Sequence, residues 1–269
     1  MDFIHIVPTS LLGRYNYRME FCEVAWCKES QEYWDYFKKL SIPVIVDNST
    51  AVKEGPSNDE DIMRVARTIS HPWVVLPDYI GNYSKTKGAQ TIFMERNSLF
   101  IASIRARGGK VVGVIQGDNL WEYGDHYSYI DQHVDVIGIP FRTLEGRDDV
   151  YQKNVSNNDA RRGVRRIILL SWLLEKGIIN RQKHHHLFGV ANLSELMLSS
   201  RFSFVKSADS SFLYTMSMNG KSMFADKDHV DFFVTDYADA ITATYMDENV
   251  RQVNIILTDF GKNHIKEVK

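Results

Sequence analysis

Residues able to do chemistry follow one short apolar run after another in this sequence. Asp47-Asn48 follows PVIV, Asp78 follows WVVL and Pro77, and Gln116-Gly117 follows VVGVI. Gly138-Ile139-Pro140 closes VDVIGI, Gly189 lies in HLFGV, and Asp209-Ser210 comes shortly after FSFV. Two facing carboxylates can divide a reaction, one attacking an anomeric carbon while the other moves protons on the leaving or incoming group. A third acid near a Gln suits a reader of a polar planar ligand, the carboxylate accepting and the amide doing both. Glycine permits close approach of a ligand to backbone. Such a set licenses a glycosyl-type reaction on a flat heterocycle without selecting it uniquely. An Asp after a strand also caps the next helix or makes an Asx turn. Three acids and a Gln-Gly on one rim weigh toward a shared site.

The apolar runs must position these groups. β-Branched and aromatic content predicts strands over Phe3–Val7, Pro43–Val46, Trp73–Leu76, Val111–Ile115, Val134–Ile139, His186–Val190 and Phe202–Val205. Residues 212–224 are ambiguous and leave room for an eighth strand. Helical spacing predicts helices over Ser30–Leu40, Asp59–Ile69, Gln90–Arg107, Asp159–Lys176 (after Asn158 and before Gly177) and Leu193–Ser199. Residues 227–260 read as mostly helical, with Val253–Leu257 equally readable as a strand. Nearly continuous apolar strands alternating with helices imply a parallel sheet covered on both faces. An open doubly wound sheet and a closed (β/α)8 TIM barrel both satisfy this. Seven or eight units in about 250 residues favour the barrel, and the expectation is one domain over residues 1–269. Ligands gather at the C-terminal ends of the strands in either fold.

Composition narrows the function classes. The 269 residues carry 32 Lys and Arg against 34 Asp and Glu, a formal charge of −2 that rules out an overall basic coat but leaves room for a local basic face. Arg142, Arg147, Arg161, Arg162, Arg165, Arg166, Arg181 and Lys183 are candidates for such a phosphate-binding face; the alternative is a solvated helix paired with Asp148, Asp149 and Asp159. Cys22 and Cys27 are too few for a disulfide framework or a four-ligand zinc site. The run His184-His185-His186 alternates faces at a strand start, so it reads as exposed or capping histidines, with no metal and no cofactor expected. Tyr15, Tyr17, Phe21 and Trp26 read as a loop packed over a barrel mouth, with base stacking as the alternative. No apolar run reaches the ~20 residues that span a bilayer, and MDFIHIVPTS lacks the features of a signal peptide. A cytoplasmic protein is expected.

The motifs PVIVDNST (43–50), VVLPDYIG (74–81), GVIQGDN (113–119), VIGIPF (136–141), HLFGVAN (186–192) and VKSADSS (205–211) occur in an order that resembles the tRNA-guanine transglycosylase superfamily of (β/α)8 barrels. That resemblance spans most of the chain. It implies that Asp209 attacks C1′ of a nucleoside and expels guanine, with Asp47 as general acid/base. It implies that Asp78 and Gln116 bind the base edge, that Gly117 and Gly138 line the base pocket, and that Gly189 brings backbone carbonyls to the base. The implied reaction exchanges guanine for a 7-deazaguanine with retention through a covalent glycosyl-enzyme. No cysteine follows Cys27, so the zinc site of the tRNA-directed members is missing; Gly-Ile-Pro replaces a Gly-Gly floor, and Asn48-Ser49 follows Asp47 where Ser-Gly-Gly is usual. A compact zinc-free chain is most similar to the phage and bacterial branch, so the expected partner is DNA rather than tRNA, in a bacterial or virus-infected cell. Water in place of the incoming base would make the same site an N-glycoside hydrolase. A non-catalytic nucleic-acid-binding barrel would not need Asp47 and Asp209 to face each other.

Overall fold

The computed structural model describes residues 1–15, 17–53, 55–144, 158–222 and 240–264. Eight parallel strands form a nearly closed barrel: β1 (Asp2–His5), β2 (Glu20–Glu23), β3 (Pro43–Asp47), β4 (His71–Val75), β5 (Lys110–Val114), β6 (Val136–Ile139), β7 (His184–Leu187) and β8 (Val205–Ser210). Their order is β1-β8-β7-β6-β5-β4-β3-β2, so the backbone ladder is continuous except at the seam between β1 and β2. Helices α1 (Val24–Glu29), α2 (Gln31–Lys38), α3 (Thr50–Lys53), α4 (Asp59–Thr68), α5 (Tyr83–Arg96), α6 (Ser98–Ala106) and α7 (Leu120–Ile130) interleave the first six strands. α8 (Asn158–Glu175), α9 (Leu193–Ser199), α10 (Phe212–Met218) and α11 (Ala240–His264) complete the layer around the remaining two. The fold is the irregular (β/α)8 barrel expected.

Several element boundaries differ from the sequence expectation, each for an identifiable reason. β2 was not expected. Its four residues EFCE begin and end on glutamate, yet all four are buried. Its strand form comes from parallel pairing with β3, Glu23 lying opposite Asp47. The last strand begins where Phe202–Val205 was expected to end, and it carries Asp209 within it rather than in a loop beyond it. The histidine run belongs to β7, and residues 212–218 are helical. Asn97 splits the long Gln90–Arg107 helix into α5 and α6. Val253–Leu257 is helical, inside α11.

Successive side chains on a strand point to opposite faces, and here that alternation sorts apolar from functional groups. Ile4, Phe21, Ile45, Trp73, Val75, Val112, Val114 and Val136 pack together inside the barrel, separately from the larger core between sheet and helices. Two residues beyond Phe21 and Ile45 stand Glu23 and Asp47; two beyond Ser207 stands Asp209. The interior is therefore largely apolar, crossed by a polar strip of His184, His186 and Ser207 on β7 and β8, with carboxyls at its C-terminal end. At the seam, the His5 ring lies 5.3 Å from the Tyr17 ring and 6.5 Å from that of Tyr15. Burial holds His5 neutral, its pKa pushed down to about 3.

Candidate active site

A cavity of about 420 Å³ opens at the C-terminal ends of the strands. Asp47, Asp78, Gln116, Gly189, Asp209, Arg142 and Arg162 all line it, so most of the sequence-derived site residues meet at one mouth. Phe21, Phe141, Phe188 and Trp26 supply aromatic walls suited to a flat ring.

Asp209 is 2% exposed and both its carboxyl oxygens are held. His186 Nε2 lies 2.8 Å from Oδ2, and the Gly189 N–H donates to Oδ1 at 3.0 Å. Behind His186, its Nδ1 meets Ser207 Oγ at 2.7 Å, and His184 Nε2 meets the same hydroxyl at 2.6 Å. Burial holds His184 neutral, its pKa pushed down to about 3. One direction of donation satisfies the whole chain: His184 N–H to Ser207, Ser207 O–H to His186, His186 N–H to Asp209. His185 and His186 are fully buried rather than exposed or capping. A β-bulge between them places His185 against Tyr127 on α7, with 2.8 Å between its Nε2 and the phenol oxygen.

Asp78 and Gln116 form a braced pair. Gln116 Nε2 donates to Asp78 Oδ2 at 2.7 Å, and Asn48 Nδ2 donates to Oδ1 at 2.8 Å. Gln116 Oε1 accepts from the Gly81 N–H at 3.1 Å, which fixes the amide orientation. The Gln116 backbone N–H donates to His126 Nδ1 at 2.9 Å, so the His126 proton sits on Nε2, 3.1 Å from Gln90 Oε1. Burial pushes Asp78 up to about 6 against the lowering effect of its two amide donors.

Asp47 meets a carboxyl absent from the sequence reading. Glu23, at the end of β2, lines the same cavity and is buried. Ser49 Oγ donates to Glu23 Oε2 at 2.6 Å, while the Ser49 N–H donates to Asp47 Oδ2 at 2.8 Å. Ser49 holds both carboxyls at φ 63°, a left-handed conformation in which glycine would be at ease. Burial pushes Glu23 up to about 7. Asp47 is raised well above the ordinary aspartate range by burial first, then by the charges of Glu23 and Asp78.

The glycines divide. Gly189 adopts φ 61°, donates to Asp209 and turns its carbonyl away to accept from Arg166 Nη2 at 3.1 Å. Gly138 and Gly117 do not line the cavity. At Gly138 the space of a side chain is filled by Phe188 and Val114, 2.6 and 3.0 Å from where a Cβ would stand. Gly117 packs on the first turn of α7 around Tyr123.

The basic face is also divided. Arg142 and Arg162 stand at the mouth, the Arg162 guanidinium 4.8 Å from the centre of the Phe141 ring. Arg165 is half-buried on α8 and does not line the cavity. The Arg161 side chain, Arg147, Asp148, Asp149 and the Asp159 side chain lie outside the described residues. Arg181 and Lys183 precede β7 and so belong to the opposite end of the barrel, where Lys183 pairs with Asp131 at 2.9 Å. Arg166 is fully buried, its Nε 3.1 Å from Glu195 Oε1, and holds the Gly189 loop in place. Arg166→Met is expected to lower the unfolding free energy by about 3–5 kcal/mol, since it strands the Glu195 carboxylate without its cation. Urea unfolding measures this, and adding Glu195→Gln should recover part of the loss.

The aromatic cluster separates as well: Phe21 and Trp26 line the cavity, while Tyr15 and Tyr17 pack at the seam. Among the described residues, no group of three or more His, Cys, Asp or Glu is disposed to hold a metal ion, and no helix is long and apolar enough to cross a membrane. Comparison with known proteins gave no match to a protein-family model and none to a curated protein.

Proposed function

We propose that the protein is a nucleic-acid base transglycosylase that exchanges guanine for a 7-deazaguanine, acting on DNA in preference to tRNA, as the resemblance of its motifs implies. The observation that carries this reading is the convergence of Asp47 and Asp209, on strands far apart in sequence, over one aromatic-walled cavity beside the braced Asp78–Gln116 pair.

In this scheme an Asp209 oxygen attacks C1′ as the C1′–N bond breaks, and the departing guanine takes a proton from the Asp47 carboxyl. An aspartyl-glycosyl ester remains. The incoming base gives its ring N–H proton back to Asp47 and displaces Asp209, so two inversions return the original configuration. Donors on Asp209 keep both oxygens oriented for in-line attack. Asp78, accepting N–H groups at the base edge, and Gln116 orient the heterocycle within the aromatic-walled cavity. Arg142 and Arg162 at the mouth offer phosphate contacts.

The test is incubation with radiolabelled guanine and either duplex DNA or tRNA. Label uptake into DNA is the expected result. Abasic product without uptake would make the protein a hydrolase, and neither outcome on either nucleic acid would sink the enzymatic reading.

A further inference from the structure

Glu23 has no part in the scheme above, yet it stands within it. Glu23 and Asp47 are direct register partners on β2 and β3, both turned inward at the strand ends. Ser49 binds one oxygen of each carboxyl, through its hydroxyl and its N–H, and the Ala25 N–H fixes that hydroxyl with a 3.0 Å bond to Oγ. Held by one residue on neighbouring strands, the two carboxyls lie close enough that the charge of Glu23 raises the proton affinity of Asp47. Two carboxylates have only acceptors, so a buried pair held side by side is favoured with a proton between them.

We propose that Glu23 and Asp47 hold one proton in common, and that Glu23 is a positioning residue that keeps Asp47 supplied with the proton a departing base removes. The role in exchange rests on the transglycosylase reading; the shared proton does not.

The surroundings favour retention of that proton. Asp78 and Asp209 face the pair across the cavity, and Cys22 and Tyr33 lie beside it on the helix side. The cations lining the same cavity are Arg142 and Arg162, at its mouth. In the first half-reaction the Asp47 O–H bond breaks, the base N–H bond forms, and the pair is left doubly charged beside Asp78. That state is unfavourable in a buried site, so the pair reclaims the ring N–H proton of the incoming base. The proton count closes over one exchange.

Glu23→Gln tests this, because an amide can still accept from Ser49 and donate to Asp47 but cannot share an ionisable proton. Its exchange rate at pH 8 should fall by about 10-fold or more, with KM for the base within about 2-fold. The alkaline limb of its rate profile should move to lower pH. In parallel, 13C-carboxyl NMR of the wild-type protein should show Glu23 titrating near 7, and Glu23→Gln should lower the Asp47 midpoint by a unit or more. An Asp47 midpoint unchanged by Glu23→Gln overturns the shared proton. A wild-type alkaline limb in Glu23→Gln overturns the positioning role. Wild-type protein that exchanges no base, with an Asp47 midpoint that does move in Glu23→Gln, removes the transglycosylase reading and leaves the proton pair standing.

Discussion

Asp209→Asn should reduce base exchange by ~10³-fold or more and abolish the covalent nucleic-acid adduct, while leaving the fold intact. The amide oxygen can still accept from the Gly189 N–H, and the amide nitrogen can face His186 once that ring presents its acceptor tautomer. The local hydrogen-bond count is thus nearly conserved, and only the nucleophile is lost. Denaturing gel electrophoresis of the trapped adduct, beside circular dichroism of the variant, separates the two effects. Adduct formation by a folded Asp209→Asn protein would remove Asp209 from the proposed role.

Asp47→Asn should move activity and stability in opposite directions. Exchange should fall by about 10²–10⁴-fold, the usual span for a lost general acid/base. At pH 8 the same variant should be more stable than the wild type by on the order of 2 kcal/mol. The sign follows from proton binding. Glu23 at about 7, Asp78 at about 6 and Asp47 raised well above its ordinary range all bind protons more tightly folded than unfolded. Their contribution is fully present below the unfolded carboxyl range of about 4 and disappears as pH rises through their folded values. The wild-type protein should therefore lose stability between about pH 5 and pH 8. Replacing Asp47 removes one of these raised, buried carboxyls. Urea midpoints at pH 4, 6 and 8 check this, and the variant's advantage should vanish at pH 4. Stability gained by disabling a site is the trade-off expected where like charges are confined for chemistry.

How much of the site was legible in advance depends on what each residue's role rests on. Asp47, Asp78, Gln116 and Asp209 were legible because each follows an apolar run, and strand ends in a parallel barrel share one rim. Glu23 was not, because EFCE has charged ends and no apolar-run signature; its strand exists only by pairing with β3. His186 read as exposed because a run of three histidines is strongly polar, and its burial depends on Ser207 and Asp209, 21 and 23 residues away. Arg166 looked like one more cation on a basic helix face, and Glu195 on another helix, 29 positions further along, is what makes it a buried brace.

Sequence by itself determined the alternation of strand and helix, the parallel barrel that follows from it, and which strand ends carry acids, because hydrophobic period and turn chemistry are local properties of the chain. Tertiary structure alone decided which carboxyls lose their water, which pair, and which arginine turns inward. Desolvation and charge coupling depend on distances between side chains, and those are set only once β2 and β3 lie side by side and the barrel closes around its mouth.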